Sequence, residues 1–109
     1  MEDMTLREIC VAAGVTRRGV QGYEKAGLVA STGKTSRGYL LYDLESQKRI
    51  KMIRLYQQLG FSIKEIAEII DASNEIKKNA LEEKIEKLKQ EGEYIENLLD
   101  KAYELISTF

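Results

Sequence analysis

Apolar residues recur along this chain at helical spacings, interrupted once, and the interruptions mark out its parts. Leu6, Ile9, Cys10 and Ala13 share one helical face behind Thr5 and Glu8, whose T-x-x-E spacing is that of a capping box, so helix one is predicted over 5–13. Gly14 can supply a left-handed stop, and Thr16 is then free to cap a second helix starting at Arg17. Gly27 ends that helix after Ala26. A turn of about three residues that contains glycine is the spacing of a helix-turn-helix.

From Leu28 to Tyr42 apolar residues flank the polar stretch 31–38, rich in Gly, Ser and Thr, which predicts a short two-stranded wing. Tyr39 and Tyr42 fall on opposite faces of it, one of them toward the core. Asp43 caps a third helix over 44–59, with Leu44, Ile50, Met52, Ile53, Leu55 and Leu59 at helical spacing and Gly60 as its stop. Ser62 and Glu65 form a second capping box before a fourth helix, 63–70, which residues 71–74 break.

Beyond Glu75, as far as about Ser107, the pattern becomes a strict heptad. Leu81, Ile85, Leu88, Gly92, Ile95, Leu99, Ala102 and Ile106 step alternately by 4 and 3, and seven of the eight are apolar. The seam covers 26 residues, roughly 39 Å of helix. Folding it back on so small a chain would leave Leu98 and Leu105 flanking an unfilled groove. Burying seven apolar side chains against a partner contributes roughly 10 kcal/mol gross per chain before ordering entropy, so a coiled coil is expected. Gly92 is its weak point, costing roughly 1 kcal/mol against Ala.

Composition narrows the class. At 109 residues, 43% hydrophobic and 32% charged, the chain holds one folded domain and an extended element, which excludes a multidomain enzyme. No apolar run approaches the ~20 residues of a membrane helix, and Met1-Glu2-Asp3 opens no signal peptide, so no membrane partner and a cytoplasmic location are expected. With one cysteine and no histidine, an internal disulfide, a zinc site and His-based catalysis have no residues to carry them. No cofactor and no enzyme activity are expected. Cys10, among Leu6, Ile9 and Ala13, reads as a core residue.

The net charge of −1 hides a gradient. Residues 4–60 carry ten Lys or Arg against four Asp or Glu, whereas residues 73–109 carry six against nine. A basic module joined to an acidic helix suits polyanion binding by the first part only. At 100° per residue Arg17, Arg18, Gln21, Gly22 and Lys25 lie within one arc of helix two, with Val20, Tyr23 and Ala26 opposite. That basic, amide-bearing face fits a DNA major groove: Arg matches guanine O6 and N7, Gln matches adenine, and glycine permits close approach. Thr16 can cap the helix while its neighbouring N–H groups meet a phosphate. In the wing, Lys34, Arg37 and Tyr39 surround two glycines and suit contact with the phosphate backbone. Lys48, Arg49, Lys51 and Arg54 run around helix three, where a solvated surface and phosphate contact are equally open readings.

Four segments together carry a resemblance: Glu8-Ile9-Cys10 through Ala13-Gly14-Val15-Thr16, Tyr23 to Leu28, Arg37 to Tyr42, and Leu59 to Ile66. In order and separation they resemble the MerR family of bacterial transcription regulators over residues 4–70, and the long helix is similar to that family's antiparallel dimerisation helix. The resemblance implies a mostly α fold: a winged helix-turn-helix DNA-binding domain, 1–72, followed by a long antiparallel coiled-coil dimerisation helix, 73–109. It implies a homodimer on a pseudopalindromic promoter operator in double-stranded DNA, whose spacer is bent and untwisted so that RNA polymerase engages both promoter elements. Thr16, Arg17, Arg18 and Gln21 would then be recognition-helix contacts, with Gly22 beside them, and Lys34, Arg37 and Tyr39 wing contacts. Leu81, Ile85, Leu88, Ile95, Leu99, Ala102 and Ile106 would form the dimer seam. Three positions depart from the family's usual pattern: Gln21-Gly22 stand for Arg-aromatic, and Leu40 follows Gly38-Tyr39 where Arg is usual. The residues present include no drug-binding domain or metal-binding cysteine loop, so the effector is unassigned. The other classes open to these residues are a coiled-coil adaptor whose head binds protein and an excisionase-like architectural DNA binder.

Overall fold

The computed structural model describes residues 2–109 and divides into two compact units, a head up to Asp71 and a second unit from Ala72 to Phe109. In the head, α1 (Leu6–Ala13) begins at Thr5, whose hydroxyl accepts from the Glu8 N–H while the Glu8 carboxylate accepts from the Thr5 N–H. Gly14, at φ +65°, ends it in the left-handed region. Helix α2 (Arg17–Lys25) follows after three residues. Helix α3 (Leu44–Gln58) is capped by Asp43, and α4 (Ile63–Ile69) by the Ser62–Glu65 box. The predicted ends thus shift by a residue: Thr5, Ala26, Leu59 and Ile70 are caps rather than helical positions.

Two of these helices stop by the same device. At Gly27 and Gly60, both at positive φ, the next N–H reaches back five residues, Leu28 to the Tyr23 carbonyl and Phe61 to the Tyr56 carbonyl, each at 3.0 Å. The side chains at the two ends of each bond are buried, and the Tyr56 and Phe61 rings meet edge to face with centroids 5.6 Å apart. Each stop therefore also contributes to the core.

The wing is three-stranded, not two-stranded. Strands β1 (Met4–Thr5), β2 (Gly33–Lys34) and β3 (Leu40–Tyr42) form an antiparallel sheet in the order β1-β3-β2, with Met4 opposite Tyr42 and Gly33 opposite Leu41. A two-residue strand shows no alternation, and the capping motif claims one of its residues, which is why no sequence pattern announced β1.

The core comprises Ile9, Val20, Tyr23, Leu28, Tyr42, Ile50, Ile53 and Ile66, with Tyr56, Phe61 and Ile69 beside them. Three sequence assignments change here. Cys10 is half-buried at the core's edge. Ala26 is exposed, because it caps α2 instead of continuing its apolar face. On α3, Leu44, Met52 and Leu55 are exposed, and Gln47, Ile50, Ile53 and Tyr56 face inward. Gln47 is tolerated inside because its amide donates to the Tyr42 carbonyl at 2.9 Å and to that of Glu2.

This division of α3 sets an expectation for truncation. Ile53→Ala removes a fully buried side chain and should cost about 2–5 kcal/mol. Met52→Ala should stay within about 0.5 kcal/mol. Urea unfolding of the two variants checks this, and equal losses would mean that the helix presents another face.

Candidate nucleic-acid interface

The first turn of α2 is built tightly. The Thr16 hydroxyl accepts from the Gly19 N–H at 3.0 Å, and a Cβ added at Gly19 would lie 2.7 Å from Val15 Cγ2. Along this helix Arg17, Arg18, Gln21, Gly22 and Lys25 are all exposed, while Val20 and Tyr23 are buried. A Cβ at Gly22 would meet nothing within 4 Å, so the outer face is open there.

Consecutive residues fasten this helix from beneath. The Tyr23 hydroxyl donates to Gln57 Oε1 on α3, and the Tyr42 hydroxyl on β3 donates to Glu24 Oε1. Both phenols are nearly inaccessible to water. Burial pushes the Tyr23 phenol up against the opposing pull of Arg54. Burial and then the hydrogen bond to Glu24 hold Tyr42 far above the usual tyrosine range. Neutral phenols are thus part of what fixes α2 relative to α3 and the wing.

The wing's tip is closed by Thr35, whose carbonyl accepts from the Gly38 N–H at 2.9 Å and whose N–H donates to the Tyr39 carbonyl at 2.8 Å. Gly38 takes φ +85°, completing a turn that leaves Arg37 at its apex. Lys34, Arg37 and Tyr39 are exposed, the last at 62%, whereas Tyr42 is the tyrosine that enters the core. Thr32 anchors the stem by accepting from the Asp43 N–H at 2.7 Å.

Arg17 and Tyr39, which the sequence assigned to separate elements, stand on one cleft of about 480 Å³ lined also by Thr5, Leu6, Arg7, Gly38 and Leu40. Arg18, Gln21, Gly22, Lys34 and Arg37 lie outside that lining. In the sequence Arg7 counted only as one of the ten basic residues of 4–60, with no role assigned to it. Its place on the outer side of α1 is readable from the helical spacing, but its proximity to the wing depends on β1 pairing with β3.

The basic residues of α3 separate into different roles. Arg49 pairs through both terminal nitrogens with the Asp71 carboxylate at 2.8 Å, and its Nε donates to the Leu28 carbonyl, which makes it a structural tie. Arg54 has its Nε buried without a hydrogen-bond partner. Lys48 and Lys51 remain exposed.

In the second unit, α5 (Asn74–Ser107) is capped by Ser73, so it starts one residue before the predicted Glu75. No described residue of α5 is buried. Of the seam, Ile85, Leu88, Ile95, Leu99, Ala102 and Ile106 are exposed and Leu81 is half-buried, which leaves a continuous apolar stripe on the surface. Among the described residues no helix is long and apolar enough to cross a membrane.

A family profile described as MerR HTH family regulatory protein matches residues 4–73, and a second, described as MerR, DNA binding, matches 47–101. The chain belongs to the MerR family. Among its relatives, the nodulation protein NolA of Bradyrhizobium diazoefficiens is 39% identical over 69 residues, which are 63% of this chain and 29% of that protein. The chain therefore spans under a third of the length of this relative. A crystal structure of a MerR family transcriptional regulator from Bacillus cereus superposes with a TM-score of 0.79 at 27% identity, covering 98% of this chain and 82% of that one. The structure of HiNmlR, a MerR family regulator lacking the sensor domain and bound to promoter DNA, shares the fold with a TM-score of 0.72 at 20% identity over 90% of this chain and 79% of that one. The mostly helical fold, with its small sheet and long C-terminal helix, is the family's, and its members are regulators, not enzymes.

The two phenols give the head a pH dependence of known sign. Their folded values lie above the unfolded tyrosine value of about 10, so the stability they contribute is complete below about pH 10 and is lost as pH rises through the folded values. Denaturant unfolding between pH 8 and 11.5 should show this decline, and Tyr42→Phe should flatten it. The same variant should cost about 1–2 kcal/mol at neutral pH because Glu24 loses a partner. A pH-independent wild type would remove the phenols from this role.

Proposed function

We propose that this MerR-family chain is one half of a homodimeric transcription regulator that binds a pseudopalindromic promoter operator in double-stranded DNA and bends and untwists its spacer. The observation that carries the reading is the exposed face of α2. Arg17, Arg18, Gln21 and Gly22 stand clear of the head while Val20 and Tyr23 lock the opposite side into the core. With Lys34 and Arg37 exposed on the wing, the head offers base-reading groups on one element and backbone contacts on another. The promoter-bound state of HiNmlR supports the choice of ligand. RNA polymerase enters indirectly, through the altered spacer.

The dimer reading rests on the exposed heptad stripe, whose side chains are satisfied by burial against a second copy. In an antiparallel pairing centred on the seam, the two-fold axis falls at its midpoint, between Gly92 and Ile95. The head and its neighbouring residues make up 1–72 and the dimer element 73–109. In that arrangement the two recognition helices enter successive major grooves about 34 Å apart.

Sedimentation of Leu88→Asp/Ile95→Asp should show monomers; a persistent dimer would overturn the seam. Wild-type affinity for a selected operator should fall steeply with salt. With about six to eight phosphates neutralised per dimer, log K against log salt should slope at about −5 to −7. A flat slope, or no DNA affinity together with a protein partner that is insensitive to salt, would favour an adaptor. Arg18→Ala should cost roughly 1–3 kcal/mol per contact and relax preference at one symmetric pair of base positions, whereas Arg37→Ala should weaken all sequences alike. Operator selection repeated with both variants separates these roles.

A further inference from the structure

The cleft between α1, α2 and the wing combines features that none of its walls has alone. Arg7 comes from the first turn of α1, Arg17 from the first turn of α2, and Tyr39 from the wing's tip, just before β3. Both arginines are exposed, and no acidic side chain is among the lining residues. Neither arginine has a carboxylate within ion-pair distance among the salt bridges of the described residues. The rest of the wall is apolar or small, with Leu6, Leu40 and Gly38.

Two unneutralised guanidinium groups at an opening with aliphatic walls suit a group that is anionic at one end and hydrocarbon at the other. A deoxyribose-phosphate unit has that form: the phosphate takes hydrogen bonds from Arg, while the sugar's C–H face packs on leucine and the tyrosine ring. Leu40 stands in this wall where the family's usual wing pattern has arginine, and Arg7 supplies a positive charge to the same cleft from α1.

We infer that this cleft binds one sugar-phosphate unit of the DNA backbone, held jointly by Arg7 and Arg17, with the Tyr39 ring against the sugar; the inference rests on the DNA-binding reading above. Arg17 is on this account a backbone contact, and base reading falls to Arg18 and Gln21. Arg7 is a binding residue that spacing, resemblance and motif all left unassigned.

The test uses the full chain and two duplexes, the selected operator and an unrelated sequence, with affinity measured by fluorescence anisotropy over a range of salt. Arg7→Ala should weaken both duplexes by the same factor, roughly tenfold, and reduce the salt slope by about 1 for each protomer. Arg7→Lys should recover much of the loss, and the double variant Arg7→Ala/Arg17→Ala should lose less than the product of the single losses. In a series of operators carrying a symmetric pair of neutral methylphosphonates, one in each half-site, Arg7→Ala and Arg17→Ala should both become silent at the same backbone position. Thermal melting should be unchanged, since Arg7 is exposed. Unchanged affinity in Arg7→Ala, altered base preference in Arg17→Ala, or silencing of the two variants at different phosphates would overturn the shared site while leaving DNA binding intact. A wild-type protein without affinity for any duplex would overturn both.

Discussion

Burying the Tyr42 ring constrains almost everything else in the head. A phenol taken out of water must find an acceptor for its hydroxyl, and this one finds the carboxylate of Glu24 on α2. The same residue's carbonyl accepts from the buried amide of Gln47 on α3, and its strand is the middle one of the sheet, flanked by β1 and β2. Helix α2, helix α3 and the wing therefore converge on one residue. The Tyr23–Gln57 bond adds a second tie between α2 and α3, so that α2 is held on two sides while its basic face stays open.

Much of this was legible in the sequence wherever the signal is local. The capping boxes at Thr5 and Ser62, the caps at Thr16 and Asp43, and the glycines at 14, 27 and 60 act through bonds within a few residues, and each appears where its pattern placed it. The heptad stripe was readable for the same reason, since one helix displays it without help from the rest of the chain. What lay hidden was set by pairing across the chain. β1 exists because β3 is there to pair with it, and Arg7, two residues beyond β1, comes to the wing with that pairing and with the packing of α1 on β3. On α3 the apolar residues occupy more than one face, so periodicity could not tell Ile50 and Ile53 from Met52 and Leu55; the packing of α1, α4 and the sheet on one side decided it.

Charge follows the same division into parts. The exposed cations of the head include Arg7 on α1, Lys64 on α4, those of α2 and the wing, and Lys48 and Lys51 on α3, and Arg49 is withdrawn from that set by its bidentate bond to Asp71. Its Nε bond to the Leu28 carbonyl joins the residues before the wing to the last residue of the head. An arginine counted as surface charge in a composition is here a cross-link with three directed hydrogen bonds.

The chain's single thiol offers a use that its burial creates. Cys10 sits half-covered on α1, and burial raises its pKa, against the opposing pull of Arg17, which keeps the thiolate scarce while the helix is packed. Opening of α1 would expose it and restore ordinary reactivity, so the rate at which an alkylating reagent labels the native protein becomes a clock for local opening of the head. With no other sulfhydryl in the sequence, the signal has one source, and slowing of that clock by an added duplex would report protection of α1 without any tag, dye or engineered residue.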